Sequence, residues 1–252
     1  MEISPLLAYL LLAAAGLAAG FVNTLAGGGS VFTLPLLMLL GLPADVANGT
    51  NRVGILLQCL WAVRGFDRRR LLDRQAAGAV LLPMVAGSAV GAAVASAIPP
   101  AVLKPVLLLT VLAMTVVTVV RPGALPAEGE RPRTLAERPA ALAWLFFAGL
   151  YGGFVQAGVG FILITALAGV LRYDLVRANA LKMLCTLAIT GVALAVFLAR
   201  DQVRWLPGIA LGLGSMVGVA LSVRFALRAR QRTLKAILLA MAALVCGAAL
   251  IK

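Results

Sequence analysis

Gly16-Leu17-Ala18-Ala19-Gly20-Phe21-Val22-Asn23 returns 133 residues later as Gly149-Leu150-Tyr151-Gly152-Gly153-Phe154-Val155-Gln156. Ala47-Asn48-Gly49 returns as Ala178-Asn179-Ala180, and Leu103-Lys104 as Leu234-Lys235, each 131 residues on. The order is kept and the spacing drifts little, so the chain reads as a duplicated unit.

Composition says where such a unit lives. Of 252 residues, 62% are hydrophobic and 12% are charged, about half the charge of a soluble domain. Eight stretches approach the roughly 20 apolar residues that cross a bilayer: 6–24, 44–64, 76–97, 101–120, 139–157, 176–199, 205–223 and 233–251. Runs 30–41 and 161–171 are too short to span comfortably and read as short or broken helices. The expectation is an all-α, multi-pass membrane protein in a lipid bilayer. Residues 1–121 form a first repeat, 122–138 a cytoplasmic linker and 139–252 a second repeat.

Charge placement predicts the threading. The net charge of +13 sits in short loops beside apolar segments, with no separate basic domain. That is the positive-inside bias, and it argues against nucleic acid. Arg64, Arg68, Arg69, Arg70 and Arg74 mark one cytoplasmic loop; Arg224, Arg228, Arg230, Arg232 and Lys235 mark another. Loop 64–74 is then inside, and its counterpart 200–204 is outside. The repeats are expected in opposite senses, about five segments each, with both termini outside the cytoplasm. Duplicated, interrupted helices threaded oppositely are a common plan for carriers.

The interruptions are expected at Asn23-Thr24-Leu25-Ala26-Gly27-Gly28-Gly29-Ser30 and at Gln156-Ala157-Gly158-Val159-Gly160. Successive glycines hold a helix poorly. Irregular backbone at membrane depth is tolerated only in protein or against a wet cavity, so the breaks should face inward. Gly87/Gly91 and Gly214/Gly218 read as close helix contacts.

The run Gly20-Phe21-Val22-Asn23-Thr24-Leu25-Ala26-Gly27-Gly28-Gly29-Ser30, then Leu34-Pro35 and Ala47-Asn48-Gly49-Thr50-Asn51, resembles the TauE/SafE family of sulfite and organosulfonate exporters. Gly153-Phe154-Val155-Gln156-Ala157-Gly158-Val159-Gly160-Phe161, with Asn179 and Lys182, is similar to that family's second repeat. The resemblance covers essentially the full length. It implies a secondary transporter of the plasma (inner) membrane for small, often sulfur-containing anions, working without ATP. Neither the substrate nor the direction of transport follows from it.

An anion at membrane depth needs donors and positive charge. Backbone N–H groups at helix starts supply both. Candidate binding residues are Asn23, Thr24, Gly28, Gly29, Ser30, Asn48, Thr50, Asn51 and Arg52 from the first repeat, and Gln156, Gly158, Gly160, Asn179 and Lys182 from the second. The amides either cap broken helix ends, bind solute, or do both. Arg52 and Lys182 occupy nearly matching places near the start of an apolar helix. Such a cation either snorkels to the interface or coordinates an anion. Asp45 and Asp174 read as turn or cap residues, and Gln58 and Cys59 as candidates for the pathway wall.

The chain has no histidine, which removes Ser/His and zinc protease chemistry. It has no phosphate-binding loop. Cys59, Cys185 and Cys246 all fall in apolar segments and read as packing residues. No enzyme activity, cofactor or metal is expected. A passive anion channel on the same fold is the alternative; homo-oligomers are left open.

Overall fold

The computed structural model describes residues 4–25, 29–120, 132–133, 135 and 137–228. Gly28, segment 233–251, both chain ends and most of the linker lie outside the described residues. All regular structure among them is helical. The first half contains α1 (Pro5–Leu25), α2 (Ser30–Leu39), α3 (Ala44–Asp67), α4 (Arg74–Ala97) and α5 (Pro100–Val120). The second contains α6 (Ala140–Phe154), α7 (Val159–Ile164) running into a π-helical stretch (Thr165–Val170), α8 (Leu175–Ala199) and α9 (Trp205–Arg228).

Four helical stretches among the described residues are long and apolar enough to cross a bilayer: Pro5–Thr24, Ala77–Ala97, Leu175–Ala199 and Trp205–Arg224. The expectation of eight is corrected in part. Helix α3 is long, but Asn48, Asn51, Arg52 and Gln58 make its central stretch too polar to qualify. Helix α6 ends at Phe154 after 15 residues, short of 157. Helix α2, with 10 residues, is about 15 Å long and cannot span alone. The first interruption also begins later than expected, because α1 stays helical through Leu25 and takes in Asn23 and Thr24.

Packing is set by small residues. A Cβ on Gly16 would strike the carbonyl oxygen of Leu211, and one on Gly20 that of Ser215. Helices α1 and α9 therefore touch along their backbones and run in the same direction. Gly214 and Gly218 of α9 press on Ala13 and Leu17 of α1. The second half repeats the arrangement: Gly149 meets Met84, Gly153 meets Ser88, Gly87 meets Phe146 and Gly91 meets Leu150. Helices α6 and α4 thus run side by side and codirectionally. Approach this close is what glycine at four-residue spacing permits in an apolar solvent.

Two further pairings complete the bundle. Gly49 lies on Gln202, Gly54 on Leu211 and Leu57 on Gly212, so α3 runs parallel to α9. Ser88 bonds the Ile189 carbonyl at 2.7 Å, and Ala92 and Ala95 pack with Ala193 and Phe197, so α4 runs parallel to α8. Short connections at 68–73 and 200–204 turn α4 back against α3 and α9 against α8.

The outer face is apolar. Leu6, Leu10, Leu82, Leu109, Trp144, Phe147, Leu206 and Leu213 are all exposed. So many exposed large apolar side chains are unusual for a protein surrounded by water. Polar residues gather inside instead, with Asn48, Thr50, Asn51, Arg52 and Lys182 almost fully buried. The linker is docked where it is described. Arg133 N–H donates to the Leu171 carbonyl at 2.8 Å, and Leu135 packs on the core.

Candidate functional site

The α6 C-terminus leaves carbonyls that no later turn can satisfy, because the chain leaves the helix after Phe154. Gln156 and Gly158 take positive φ angles of 69° and 78°. At Gly158 the missing Cβ makes this conformation inexpensive; at Gln156 it is strained. The Gln156 side chain is held from two directions. Its Nε2 donates to Thr190 Oγ1 at 3.0 Å, and its Oε1 accepts from Arg52 at 2.7 Å.

Arg52 arrives from α3, about a hundred residues earlier. One terminal nitrogen also donates to the Gly152 carbonyl at 2.7 Å, and the other donates to the Gly153 carbonyl at 2.6 Å. The guanidinium carbon lies 5.1 Å from the centre of the Phe197 ring, within cation–π range. The planar fork suits this many acceptors, and a cation at a helix C-terminus is favoured by the helix dipole.

Lys182 does the converse. From α8 of the second half it reaches the C-terminal turn of α1 in the first. Its Nζ donates to the carbonyls of Asn23 at 2.7 Å and Thr24 at 3.0 Å, and to Asn179 Oδ1 at 2.9 Å. Each half therefore caps the interrupted helix of the other. Neither cation snorkels, since both side chains are fully buried. Among the described residues their hydrogen-bond acceptors are all neutral oxygens.

The remaining candidates divide by position. Asn48 donates to the Phe154 carbonyl at 2.8 Å, and Thr50 accepts from the Arg204 backbone at 2.9 Å. Thr24 bonds back to Gly20 at 2.8 Å. Gly160 is buried within α7. Gly29, Ser30 and Asn51 line a small cavity together with Thr33, Gln58 and Ser215. As it stands it has room for about one water-sized group. Thr33 donates to Asn51 Oδ1 at 2.7 Å, while Asn51 Nδ2 and Gln58 Nε2 are buried N–H donors with no partner. Sequence reasoning had flagged Gln58 only as wall and had passed over Thr33. The spacing 51, 54, 55, 58 along one face of α3 was the available signal.

Of the two aspartates, Asp174 is the helix cap that was expected, whereas Asp45 lies inside the first turn of α3 and caps nothing. Asp174 Oδ1 caps α8 by accepting from the backbone of Val176 and Arg177. Asp45 accepts from Gln202 Nε2 at 3.1 Å, joining the first turn of α3 to the loop before α9. A matching link joins the turn before α8 to the loop before α4, where Tyr173 Oη donates to Asp73 at 2.9 Å. Burial, then the Asp73 carboxylate, push the Tyr173 phenol well above its ordinary pKa.

The sulfite exporter TauE/SafE family model matches residues 12–249. The chain belongs to the TauE/SafE family. Among its relatives, a "Probable membrane transporter protein" of Haemophilus influenzae is 28% identical, over 83% of this chain and 81% of the relative. "Probable membrane transporter protein ORF9" of a Sinorhizobium species is 26% identical, over 92% and 88%. "Probable membrane transporter protein YfcA" of Escherichia coli K12 is 26% identical, over 92% and 86%. No solved structure matches the chain significantly. Family membership and the four apolar helices make this TauE/SafE protein a membrane protein of a transporter family.

Proposed function

We propose that this protein is a secondary carrier that moves a small, sulfur-containing anion such as sulfite or an organosulfonate across the plasma (inner) membrane. The supporting observation is the pair Arg52 and Lys182. Two cations lie in the packed interior, and the oxygens around them are neutral dipoles that orient toward positive charge without cancelling it. Intramembrane cations are costly and belong to sites and pathways. A transient anion is the species that lowers that cost. The candidate binding residues act here either by donating to the solute or by holding the broken helices open to it.

The inverted arrangement follows the same line. Helices α1, α3 and α9 share one direction, and α4, α6 and α8 the other, once the short connections are taken into account. By the repeat these are matched pairs: α1 with α6, α3 with α8 and α4 with α9. Matched helices running oppositely support two repeats of opposite threading, with loop 68–73 inside, loop 200–204 outside and both termini outside. The two polar links, Tyr173–Asp73 and Gln202–Asp45, would then close opposite faces in turn.

Proteoliposome flux with sulfite, thiosulfate, sulfonates and carboxylates tests the reading. Saturable uptake of at least one sulfur oxyanion is expected, driven by a counter-anion or proton gradient. Flux that rises without saturation would instead support a passive channel. No flux of any anion by folded protein would overturn transport of this class.

A further inference from the structure

The cavity beside α2 has a counterpart in the second half, and that counterpart is filled. The 131-residue offset along α3 and α8 takes Asn51 to Lys182 and Gln58 to Ile189. Ile189 belongs to a buried apolar cluster that also contains Leu163, Ile164 and Ala166. A Cβ on Gly152, the partner of Ala19, would lie 2.7 Å from Ile189 Cδ1. An aliphatic side chain therefore occupies the space that Gln58 leaves polar. Lys182 has meanwhile turned its ammonium to the end of α1.

The first-half cavity is different in kind. Thr33 occupies the Asn51 oxygen, so the NH2 of that amide is its free end. Gln58 presents a second NH2 two helical turns along. Both nitrogens are buried and unpartnered, and their residues are 1% and 2% exposed. A buried donor without an acceptor costs about 1–3 kcal/mol, so a ligand rich in acceptors is favoured there. Gly29 and Ser30 at the start of α2 add backbone N–H groups and the positive end of a helix dipole. Gly54, Ile55 and Leu211 complete the wall without a carboxylate.

We propose that the protein binds one small oxyanion per chain, in the first-half cavity, on the side-chain amides of Asn51 and Gln58 and the N-terminus of α2. The inference rests on the transport reading above and makes it specific. The repeat supplies one polar pocket and one apolar plug, so the halves serve different tasks. With room for about one water-sized group, the cavity must widen to admit even a compact oxyanion such as sulfite, and sulfonates with long alkyl tails are disfavoured more strongly.

Titration calorimetry of sodium sulfite into the full chain in lipid nanodiscs tests it. One site per chain is expected. Gln58→Leu and Asn51→Leu should each weaken binding tenfold or more, and Ile189→Val in the plugged counterpart should bind like the parent. Across methane-, butane- and hexanesulfonate, affinity should fall by tenfold or more from first to last. Gln58→Met, close to isosteric, serves as the same test should Gln58→Leu fail to fold. Two equivalent sites per chain, or parent-like sulfite binding by the folded Gln58 and Asn51 variants, overturns this proposal while leaving transport intact. A parent that neither binds nor carries any of these anions overturns both.

Discussion

Lys182 Nζ sits 2.7 Å from the carbonyl oxygen of Asn23, a residue 159 positions earlier in the chain. The contact joins a helix of one half to the broken end of a helix in the other. Replacing Lys182 with Met keeps the volume but strands the Asn23 and Thr24 carbonyls. Each buried orphan costs about 1–3 kcal/mol, so a total loss of roughly 2–6 kcal/mol is expected. Thermal unfolding in nanodiscs measures it. A midpoint within a degree of the parent would show that the capping bonds contribute nothing.

Arg52 holds two carbonyls and one amide oxygen through a planar fork. Lysine offers the same charge from a single point. Arg52→Lys should therefore cost about 1–3 kcal/mol through at least one lost bond. The exposed Arg200→Lys should stay near zero. Equal stability of both variants would refute the geometric argument.

The glycine contacts predict a matched pair of failures. Gly20→Ala forces α1 off the Ser215 backbone, and Gly153→Ala forces α6 off that of Ser88. Neither backbone can yield as a side-chain tip would, so each should cost about 1–3 kcal/mol, the usual range for overpacking. Gly78→Ala has nothing within 4 Å of the new methyl and should gain a few tenths to about 1 kcal/mol from helix propensity. Denaturation of the three variants in parallel decides this.

Tyr173 predicts an alkaline limit. Its folded pKa is raised by burial and by Asp73, while the unfolded phenol titrates near about 10. The folded state therefore holds the proton more tightly. The contribution is complete below about pH 10 and is lost as pH climbs toward the folded pKa. Thermal midpoints from pH 8 to 11 should fall more steeply in the parent than in Tyr173→Phe. Identical slopes would exclude Tyr173 as the source.

Opposite threading predicts opposite labelling. A cysteine at the exposed Asp201 should react with a membrane-impermeant maleimide in intact cells, and one at the exposed Arg69 only after permeabilisation. Cys59 and Cys185 are buried and give little background, and Cys246 is replaced by serine in both variants. Labelling of both positions from the same side would rule out the inverted arrangement.

Much of the fold was legible because its signals are local. Apolar runs mark helices wherever they fall, and the recurrence of Gly16/Gly20 as Gly149/Gly153 is visible by inspection. The glycine interruptions were placed to within a few residues, since backbone preference acts over one turn. The boundary error at Asn23 and Thr24 has a tertiary cause. Lys182 satisfies the carbonyls that would otherwise fray, so α1 runs on to Leu25.

What the sequence alone determined was a duplicated, all-helical, bilayer-compatible chain with two cations at nearly matching places in apolar segments. Hydropathy and repetition are properties of neighbouring residues, and they survive without coordinates. Which carbonyls those cations reach was decided only by tertiary structure, and so was the contrast between a polar cavity at Gln58 and a plug at Ile189. A hydrogen bond depends on where two distant segments meet, and no local pattern in the chain encodes that meeting.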